Sequence, residues 1–171
     1  KTNVGVGNYD KGRPSVGIWM KRDKSTDGGK AYANIKYSII DPNTNTEHAI
    51  SGIYKITDLD RKQGVIVDDG NATTSENPFF KNISSTAANT VKFNDINGTY
   101  GGKQIKGTYI YSTTSSDLSG NNEVEVYRLV KEKSSMDMVF KWEDRSAYSA
   151  IVFKPDGMVQ QKHKIKLTVI N

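Results

Sequence analysis

The glycine-rich stretch NDINGTYGGKQIKGTYIY, residues 94–111, holds residues that could do chemistry. Glycines beside a lysine can cradle phosphate where they open a helix, but a P-loop requires the spacing G-x-x-x-x-G-K-[ST]. GTYGGKQ has a different spacing, places Gln104 after the lysine, and leads into an alternating strand pattern. We therefore interpret the glycines as a turn between a strand ending near Asp95 and a strand beginning near Lys103.

The side chains of this turn suit a sugar better than a phosphate. Tyr100 places an aromatic ring at the turn, where the flat face of a sugar can stack on it, and Asn97 and Lys103 can hydrogen-bond hydroxyl groups. The two tryptophans, Trp19 and Trp142, fit either a core role or a second stacking surface. The predicted ligand-binding residues are therefore Trp19, Asn97, Tyr100, Lys103 and Trp142.

Carboxylates cluster in DLDRKQGVIVDDG, residues 58–70, and hard calcium ions prefer such oxygen-rich loops. The segment is not an EF-hand, because Lys62 replaces a ligand and no glutamate closes the loop. Two interpretations stay open: solvated turn carboxylates, or a loop calcium site. The residues of that site would be Asp58, Asp60, Asp68 and Asp69.

Sequence motifs of catalysis are missing from the chain. It has no cysteine and only two histidines, His48 and His163, so a zinc site of the usual ligands is not predicted. No G-x-S-x-G motif occurs, although a Ser-His-Asp triad is defined in space rather than in sequence. A glycosidase would need two facing carboxylates, and no sequence feature favours that arrangement. We predict a non-enzymatic protein whose one candidate cofactor is the calcium ion of that loop.

Strands are the elements that would position these residues. Ile35, Tyr37 and Ile39 alternate with polar residues, and the same period of two recurs at Ile105, Tyr109 and Tyr111. Short strands separated by turn-forming clusters predict an all-β fold, an antiparallel β-sandwich with little or no helix. KPDGMV (154–159) is predicted as a hairpin turn into the last strand, and GVGNYD (5–10) as a flexible lead-in. The predicted strands are 15–21, 33–40, 48–57, 64–68, 90–95, 104–111, 122–130, 137–142, 149–154 and 162–170.

Length and composition fit one folded domain spanning residues 1–171. The chain is 35% hydrophobic and 25% charged, which is not extreme enough for disorder. No apolar run approaches the roughly 18 residues of a membrane span. The chain starts at Lys1, so we expect a mature form or a piece excised from a longer protein. Its net charge of +5 can attract a polyanionic polymer.

The segment TVKFNDINGTYGGKQIKGTYIYSTTSS, residues 90–116, resembles the variable region of streptococcal antigen I/II adhesins and glucan-binding protein C. NNEVEVYRLV, MDMVFKWED and KHKIKLTVI resemble the following strands of that family in order. Upstream, residues 37–65 are similar to a β-rich pattern of cell-wall-attached Gram-positive surface proteins. The residues that fit the family pattern are Val91, Phe93, Ile96, Tyr100, Gly102, Lys103 and Ile105.

The resemblance implies a β-supersandwich displayed outside the cell on a bacterial cell wall, with a polymer-binding cleft and often a bound metal ion. It predicts a non-enzymatic adhesin module for a host or biofilm glycan or glycoprotein. Two alternatives stay open. One is a structural stalk domain of a surface protein, which could contain a Lys–Asn isopeptide crosslink. The other is a binder of polyanions such as extracellular DNA or teichoic acid.

Overall fold

The computed structural model describes residues 2–10, 13–20, 31–68, 79–81, 84–142, 149–156 and 164–170. Strands dominate these residues, and their helical segments are two three-residue 3₁₀ turns, Ala88–Thr90 and Gly120–Asn122. The all-β prediction is confirmed. None of the helices described is long and apolar enough to cross a membrane. The strands are β1 Thr2–Asp10, β2 Arg13–Met20, β3 Ala31–Ile40, β4 Ile50–Thr57, β5 Gln63–Val67, β6 Phe79–Lys81, β7 Val91–Tyr100, β8 Lys103–Ser112, β9 Val126–Lys133, β10 Ser135–Trp142, β11 Ser149–Asp156 and β12 Lys164–Ile170.

The strands form two six-stranded antiparallel sheets. The first sheet has the order β1-β2-β11-β4-β9-β6, and the second has the order β12-β3-β10-β5-β8-β7. A buried hydrophobic cluster draws on both sheets, with Ile56 and Val126 from the first and Ile35, Val65 and Phe140 from the second. Because alternate residues of a strand face opposite ways, these residues fix which face of each sheet points into the sandwich.

The opposite face of the second sheet, which we call the outer face, is also partly covered. Strand register places Val139 of β10 beside Ile66 of β5, and Ile66 beside Tyr109 of β8. These residues alternate with core-facing neighbours and therefore point away from the sandwich core. Nevertheless Ile66 and Val139 are only 0% and 1% exposed. Another part of the chain must therefore lie over them.

The cover is the end of the β7–β8 hairpin, residues 96–107, which we call the hairpin arm. β5 ends at Val67, opposite Thr108, while β7 and β8 stay paired as far as Tyr100 and Lys103. At Gly107 the backbone comes so close to Val67 that a Cβ atom would lie 1.9 Å from the Val67 carbonyl oxygen. Glycine is thus required where the arm leaves the sheet.

The arm folds back and reaches strand β3. A Cβ atom on Gly101, at the turn of the hairpin, would lie 3.1 Å from the Tyr32 Cβ and 3.5 Å from a Val139 methyl group. Ile105 of the arm is 1% exposed and joins Ile66 and Val139 in a second hydrophobic cluster. The arm therefore forms a local third layer over the sandwich.

Several details of the strand prediction were wrong. The strand expected to end near Asp95 continues to Tyr100, so Gly98 lies in β7 and the turn is formed by Gly101 and Gly102. The short strand β6 was not predicted. GVGNYD, expected as a flexible lead-in, belongs to β1, which pairs with β2. The predicted hairpin at KPDGMV does not form, because β11 and β12 lie in different sheets and β11 continues to Asp156. Pro155 is paired with Tyr54 of β4, but the register with β2 ends at Phe153. Proline is tolerated there because a strand position paired on one side does not need its N–H.

Candidate functional site

Lys103 lies between two carboxylates at the base of the arm. Its Nζ is 3.4 Å from the Asp68 Oδ2 and 3.4 Å from the Asp137 Oδ1. All three side chains keep part of their surface in solvent, 34% for Lys103, 29% for Asp68 and 39% for Asp137. The predicted ligand residue Lys103 and the predicted calcium ligand Asp68 are thus neighbours in an ion pair.

A pocket of about 420 Å³ opens beside this ion pair, between the hairpin turn and strands β3, β10 and β12. The Asn34 Nδ2 donates a hydrogen bond of 3.0 Å to the Gly101 carbonyl and fastens the turn to β3. Gly102 has a φ of +80° and open space where a Cβ would point. We call this space the tip pocket; its lining residues are Asn34, Ile35, Gly101, Gly102, Lys103, Asp137, Met138 and Ile170.

Tyr100 and Asn97 lie on opposite faces of the arm. The Tyr100 ring packs against the Ile66, Ile105 and Val139 cluster, so the arm uses much of this ring for its own docking. Asn97 is exposed, and its Oδ1 accepts a hydrogen bond of 3.3 Å from the Gln104 side chain. The structure therefore leaves Asn97 on the surface and half-buries the predicted stacking ring.

The two tryptophans belong to different sheets. Trp19 lies on β2 of the first sheet, in register with Asn3 and Ala150. Trp142 ends β10 of the second sheet, in register with Ala31 and Gln63. Both side chains fall outside what the structure describes. The strand positions show that Trp19 lies on a different sheet from Asn97, Tyr100 and Lys103, which all belong to the second sheet or its arm.

A pair of stacked tyrosines on the outer face was missed by sequence reasoning. The Tyr109 and Tyr111 rings have centroids 4.6 Å apart and an interplanar angle of 19°. The Lys141 Nζ lies 5.0 Å from the Tyr109 ring centroid, and the Asn94 Nδ2 donates to the Tyr111 hydroxyl at 3.2 Å. Both rings are half-buried, so part of each reaches solvent. We call Tyr109, Tyr111 and Lys141 the tyrosine platform.

A glycine explains the position of the platform. A Cβ on Gly64 would lie 2.5 Å from the Tyr109 ring, so the ring lies directly over this glycine. The alternation in QIKGTYIY correctly puts Tyr109 and Tyr111 on one face. It could not show that this face points away from the sandwich core, because that depends on the pairing with β5.

A second group of carboxylates lies at the turn before β5. One carboxylate oxygen from each of Asp58, Asp60 and Asp117 falls within 4.8 Å of the others. Asp60 is 2% exposed and accepts a hydrogen bond of 2.7 Å from the Leu118 backbone N–H. Arg61 pairs with Asp117 at 2.5 Å. We call the three aspartates the acidic cluster.

The acidic cluster only partly coincides with the predicted calcium residues. Asp58 and Asp60 come together, but Asp68 pairs with Lys103 instead, and Asp69 lies outside the described residues. Asp117 was not predicted, because it comes from a loop far along the sequence. The backbone N–H groups of Lys62 and Arg61 donate hydrogen bonds to the carbonyls of residues 114 and 116, and these bonds hold the loop that carries Asp117 against the turn.

Burial and the charges of neighbouring carboxylates raise the pKa of both Asp58 and Asp60. Burial raises the pKa of Asp58 to about 6, and the charges of Glu123 and Asp117 act in the same direction. Burial also raises the pKa of Asp60 to about 7, although the hydrogen bond from the Leu118 N–H acts in the opposite direction and lowers the pKa. Asp60 thus changes charge near neutral pH, and the cluster can share protons or bind a cation.

The cluster does not have the geometry of a glycosidase site. Such an enzyme needs two carboxyl groups that flank an accessible glycosidic bond. With 2% exposure, the Asp60 carboxyl cannot meet a sugar in this conformation. The raised pKa values are accounted for by burial and neighbouring charges.

No protein-family model, curated protein or solved structure matches this chain. The likeness to antigen I/II and glucan-binding protein C therefore stays a prediction from sequence segments. The geometry of the outer face and of the acidic cluster supplies the basis for assigning a function.

Proposed function

We propose that this chain is a non-enzymatic adhesin module that binds a glycan on the outer face of its second sheet. The observation that carries the proposal is the tyrosine platform. Tyr111 presents a partly solvent-exposed ring on a face that the sandwich core does not need, and it stacks on Tyr109, whose own ring also packs against the Ile66, Ile105 and Val139 cluster. Exposed aromatic rings with polar groups at their edges suit the flat, weakly polar face of a sugar.

Polar residues around the platform supply what a sugar needs beyond stacking. Asn94, bound to the Tyr111 hydroxyl, offers a carboxamide at one edge, and the Lys141 ammonium lies over the Tyr109 ring. On the exposed side of the arm, Thr99 and Asn97 are joined through Gln104 into a polar strip. A polymer that extends from the platform along the arm would meet hydrogen-bonding groups over several sugar units.

The proposal includes the expected setting of the module. The resemblance to antigen I/II and glucan-binding protein C supports an extracellular place on a Gram-positive cell wall, attached through a longer parent protein. The ligand would be a host or biofilm glycan or glycoprotein. Reversible binding without chemical change is consistent with an outer face that combines aromatic and polar groups.

The direct test is a glycan array probed with the wild-type protein and a Tyr111→Ala variant. Loss of the partly exposed ring removes about 1 kcal/mol of stacking, so we expect about fivefold weaker binding to every glycan bound. Tyr111→Phe keeps the ring and should retain most of the affinity. Leu129→Ala is the matched control, because Leu129 is exposed on the first sheet. Wild-type affinity in Tyr111→Ala would refute the platform as the site.

A calcium ion at the acidic cluster is the second part of the proposal. Asp58, Asp60 and Asp117 offer three oxygen atoms close together, and calcium binding would relieve their mutual repulsion. Calorimetric titration with calcium should release protons near pH 7, because Asp60 holds a proton there. Absence of calcium binding at millimolar concentration would remove the ion from the proposal.

One observation favours the polyanion alternative. Lys92 is exposed opposite Tyr111 in the strand register, and Lys141 lies over Tyr109, so cations flank the platform on two sides. Binding of extracellular DNA or teichoic acid would weaken steeply with salt, because counterions are released on binding. Affinity that stays flat in a salt titration would rule this alternative out. If the protein bound no glycan or polymer on any array, that result would support the stalk alternative. An isopeptide crosslink in such a stalk would appear as the loss of ammonia or water in the mass of the intact protein.

A further inference from the structure

We infer that the tip pocket is a separate subsite for a cationic amine, supplied by the free amino group of a de-acetylated amino sugar. The inference rests on the proposed glycan binding, because it specifies one sugar of the ligand that the tyrosine platform holds. The inference concerns different residues, however, so an experiment can refute the subsite without refuting the glycan binding.

The first argument is the local charge. Two carboxylates, Asp68 and Asp137, face the single Lys103 ammonium, which leaves one negative charge (1 − 2 = −1). Lys36 is the cross-strand neighbour of Asp137, but it pairs with Glu47 at 3.3 Å and so leaves this sum unchanged. The chain as a whole has a net charge of +5. Lys103 and Asp137 line the tip pocket and Asp68 lies beside Lys103, so the described charges at the pocket and its rim have one negative charge in excess, which disfavours a uronic or sialic acid.

The second argument is the geometry of the ion pair. Both Lys103 contacts measure 3.4 Å, whereas direct charge-assisted hydrogen bonds are about 2.7–2.9 Å. The carboxylates are thus not saturated by the lysine, and Asp137 keeps 39% of its side-chain surface exposed. An ammonium group can approach Asp137 from the pocket without displacing Lys103.

The third argument is the excess of acceptors in the pocket wall. The Asn34 Oδ1 is buried beneath the hairpin turn and has no hydrogen-bond partner among the described residues. A buried acceptor without a donor is unfavourable, and a donor bound beside the hairpin turn would lower the cost of this unsatisfied Asn34 oxygen through its dipole. Asn34 and Asp137 together favour a ligand that donates hydrogen bonds.

Size and shape also fit a sugar unit. The volume of about 420 Å³ falls within the roughly 300–1,000 Å³ of small-molecule sites. Gly102 adds no side chain to the entrance, and Ile170, which is 47% exposed, provides an apolar wall for the carbon face of the ring. An aliphatic amine alone would leave most of this apolar wall uncovered.

The test compares three oligosaccharides of equal length: a β-linked glucosamine, its N-acetylated form and a galacturonic acid. Affinity is measured by calorimetry, and NMR follows the amide signals of Gly101 and Gly102 and the side-chain NH₂ of Asn34. We expect the glucosamine form to bind about fivefold more tightly than the acetylated form and to shift these three signals. The galacturonic acid should leave the three signals unchanged.

Two variants make the test specific. Asp137→Asn should remove the preference for the free amine, because it removes the unpaired charge. Lys103→Met keeps the aliphatic stem and frees both carboxylates, so affinity for the amine should rise about threefold to fivefold. A structural role of Lys103 would lower it instead. Asp95→Asn, on the exposed part of β7, is the control for loss of one carboxylate.

The outcomes separate this inference from the proposed function. Equal affinity for the free and acetylated forms, with both weakened about fivefold in Tyr111→Ala, would overturn the subsite and leave the adhesin proposal standing. Shifts of Gly102 and Asn34 with glucosamine monomer, when no array glycan binds, would support the subsite and refute the adhesin proposal. Stronger shifts with a lysine-containing peptide than with any amino sugar would overturn the ligand class.

Discussion

Replacement of Asp60 by asparagine should stabilise this protein at alkaline pH. Asp60 is 2% exposed, yet its carboxylate must ionise above its folded-state pKa of about 7. Asparagine has the same shape, and its Oδ1 can still accept the hydrogen bond from Leu118. The substitution thus removes the cost of a buried charge while it keeps the contact that anchors the loop after β8.

The size and pH dependence follow from the pKa shift. The folded-state pKa is raised from 3.8 to about 7, so the folded protein holds this proton more tightly than the unfolded chain. Ionisation therefore costs stability above pH 7, and this cost falls as the pH drops through 7 and vanishes below about 4. Three pKa units correspond to about 4 kcal/mol at pH 8. We expect Asp60→Asn to gain about 2–4 kcal/mol at pH 8 and less than about 1 kcal/mol at pH 4, since neighbouring carboxyls share the proton.

The assay is urea unfolding of wild type and Asp60→Asn at pH 4, 6 and 8, with a chelator present. Asp95→Asn is the control, because it removes one carboxylate from an exposed position of β7. A loss of stability in Asp60→Asn at pH 8 would refute the reasoning, since it would mean that the ionised carboxylate is favourable. The same unfolding series in the presence of calcium tests the ion site, because calcium should raise the free energy of unfolding of the wild type and not of the variant.

Other predictions concern the arm and the ligand. Gly107→Ala should destabilise the fold by about 2–3 kcal/mol or more in urea unfolding, because its methyl group would overlap the Val67 carbonyl. At Gly102 an added Cβ meets no atom within 4 Å, so Gly102→Ala should lower the free energy of unfolding by only about 1 kcal/mol, because of its φ of +80°. Equal losses of stability in the two variants would contradict the close backbone contact at Gly107. Trp19→Ala should leave glycan affinity unchanged in calorimetry, because Trp19 lies on the first sheet and the tyrosine platform on the second. Weaker binding in this variant would show that Trp19 contributes to the glycan site. Glycan affinity should vary little with salt, whereas a steep decline would favour the polyanion alternative.

Period-two alternation was enough to predict the fold class. Ile35, Tyr37 and Ile39 do face the core from β3, as their spacing indicated. The strand at residues 2–10 was missed because its glycines lower local strand preference; in the structure it pairs with β2. Local patterns also failed at Pro155, where the tolerance for proline depends on how far β2 extends beside β11.

The candidate site was less accessible to sequence reasoning, because its parts are joined by long-range contacts. The stretch 94–111 did contain a hairpin turn and a site-lining lysine, Lys103. Its carboxylate partners Asp68 and Asp137 lie far apart in sequence, and no local pattern connects them. Tyr100 fits a binding role at an open turn, but it packs inward because the arm folds back at Gly107. The half-buried Tyr109 and Tyr111 looked like ordinary strand residues until the two faces of β8 could be told apart.

The folded-back arm has a consequence for the order of folding. Its two strands are neighbours in sequence and need only a short turn, so they can pair early. Its docking surface is different, since Asn34, Ile66 and Val139 come together only after β3, β5 and β10 have assembled. During that interval Ile66 and Val139 are open to other chains, which is a hazard for aggregation. We therefore expect variants that slow the docking of the arm to lower the yield of refolding before they lower the stability of the native protein.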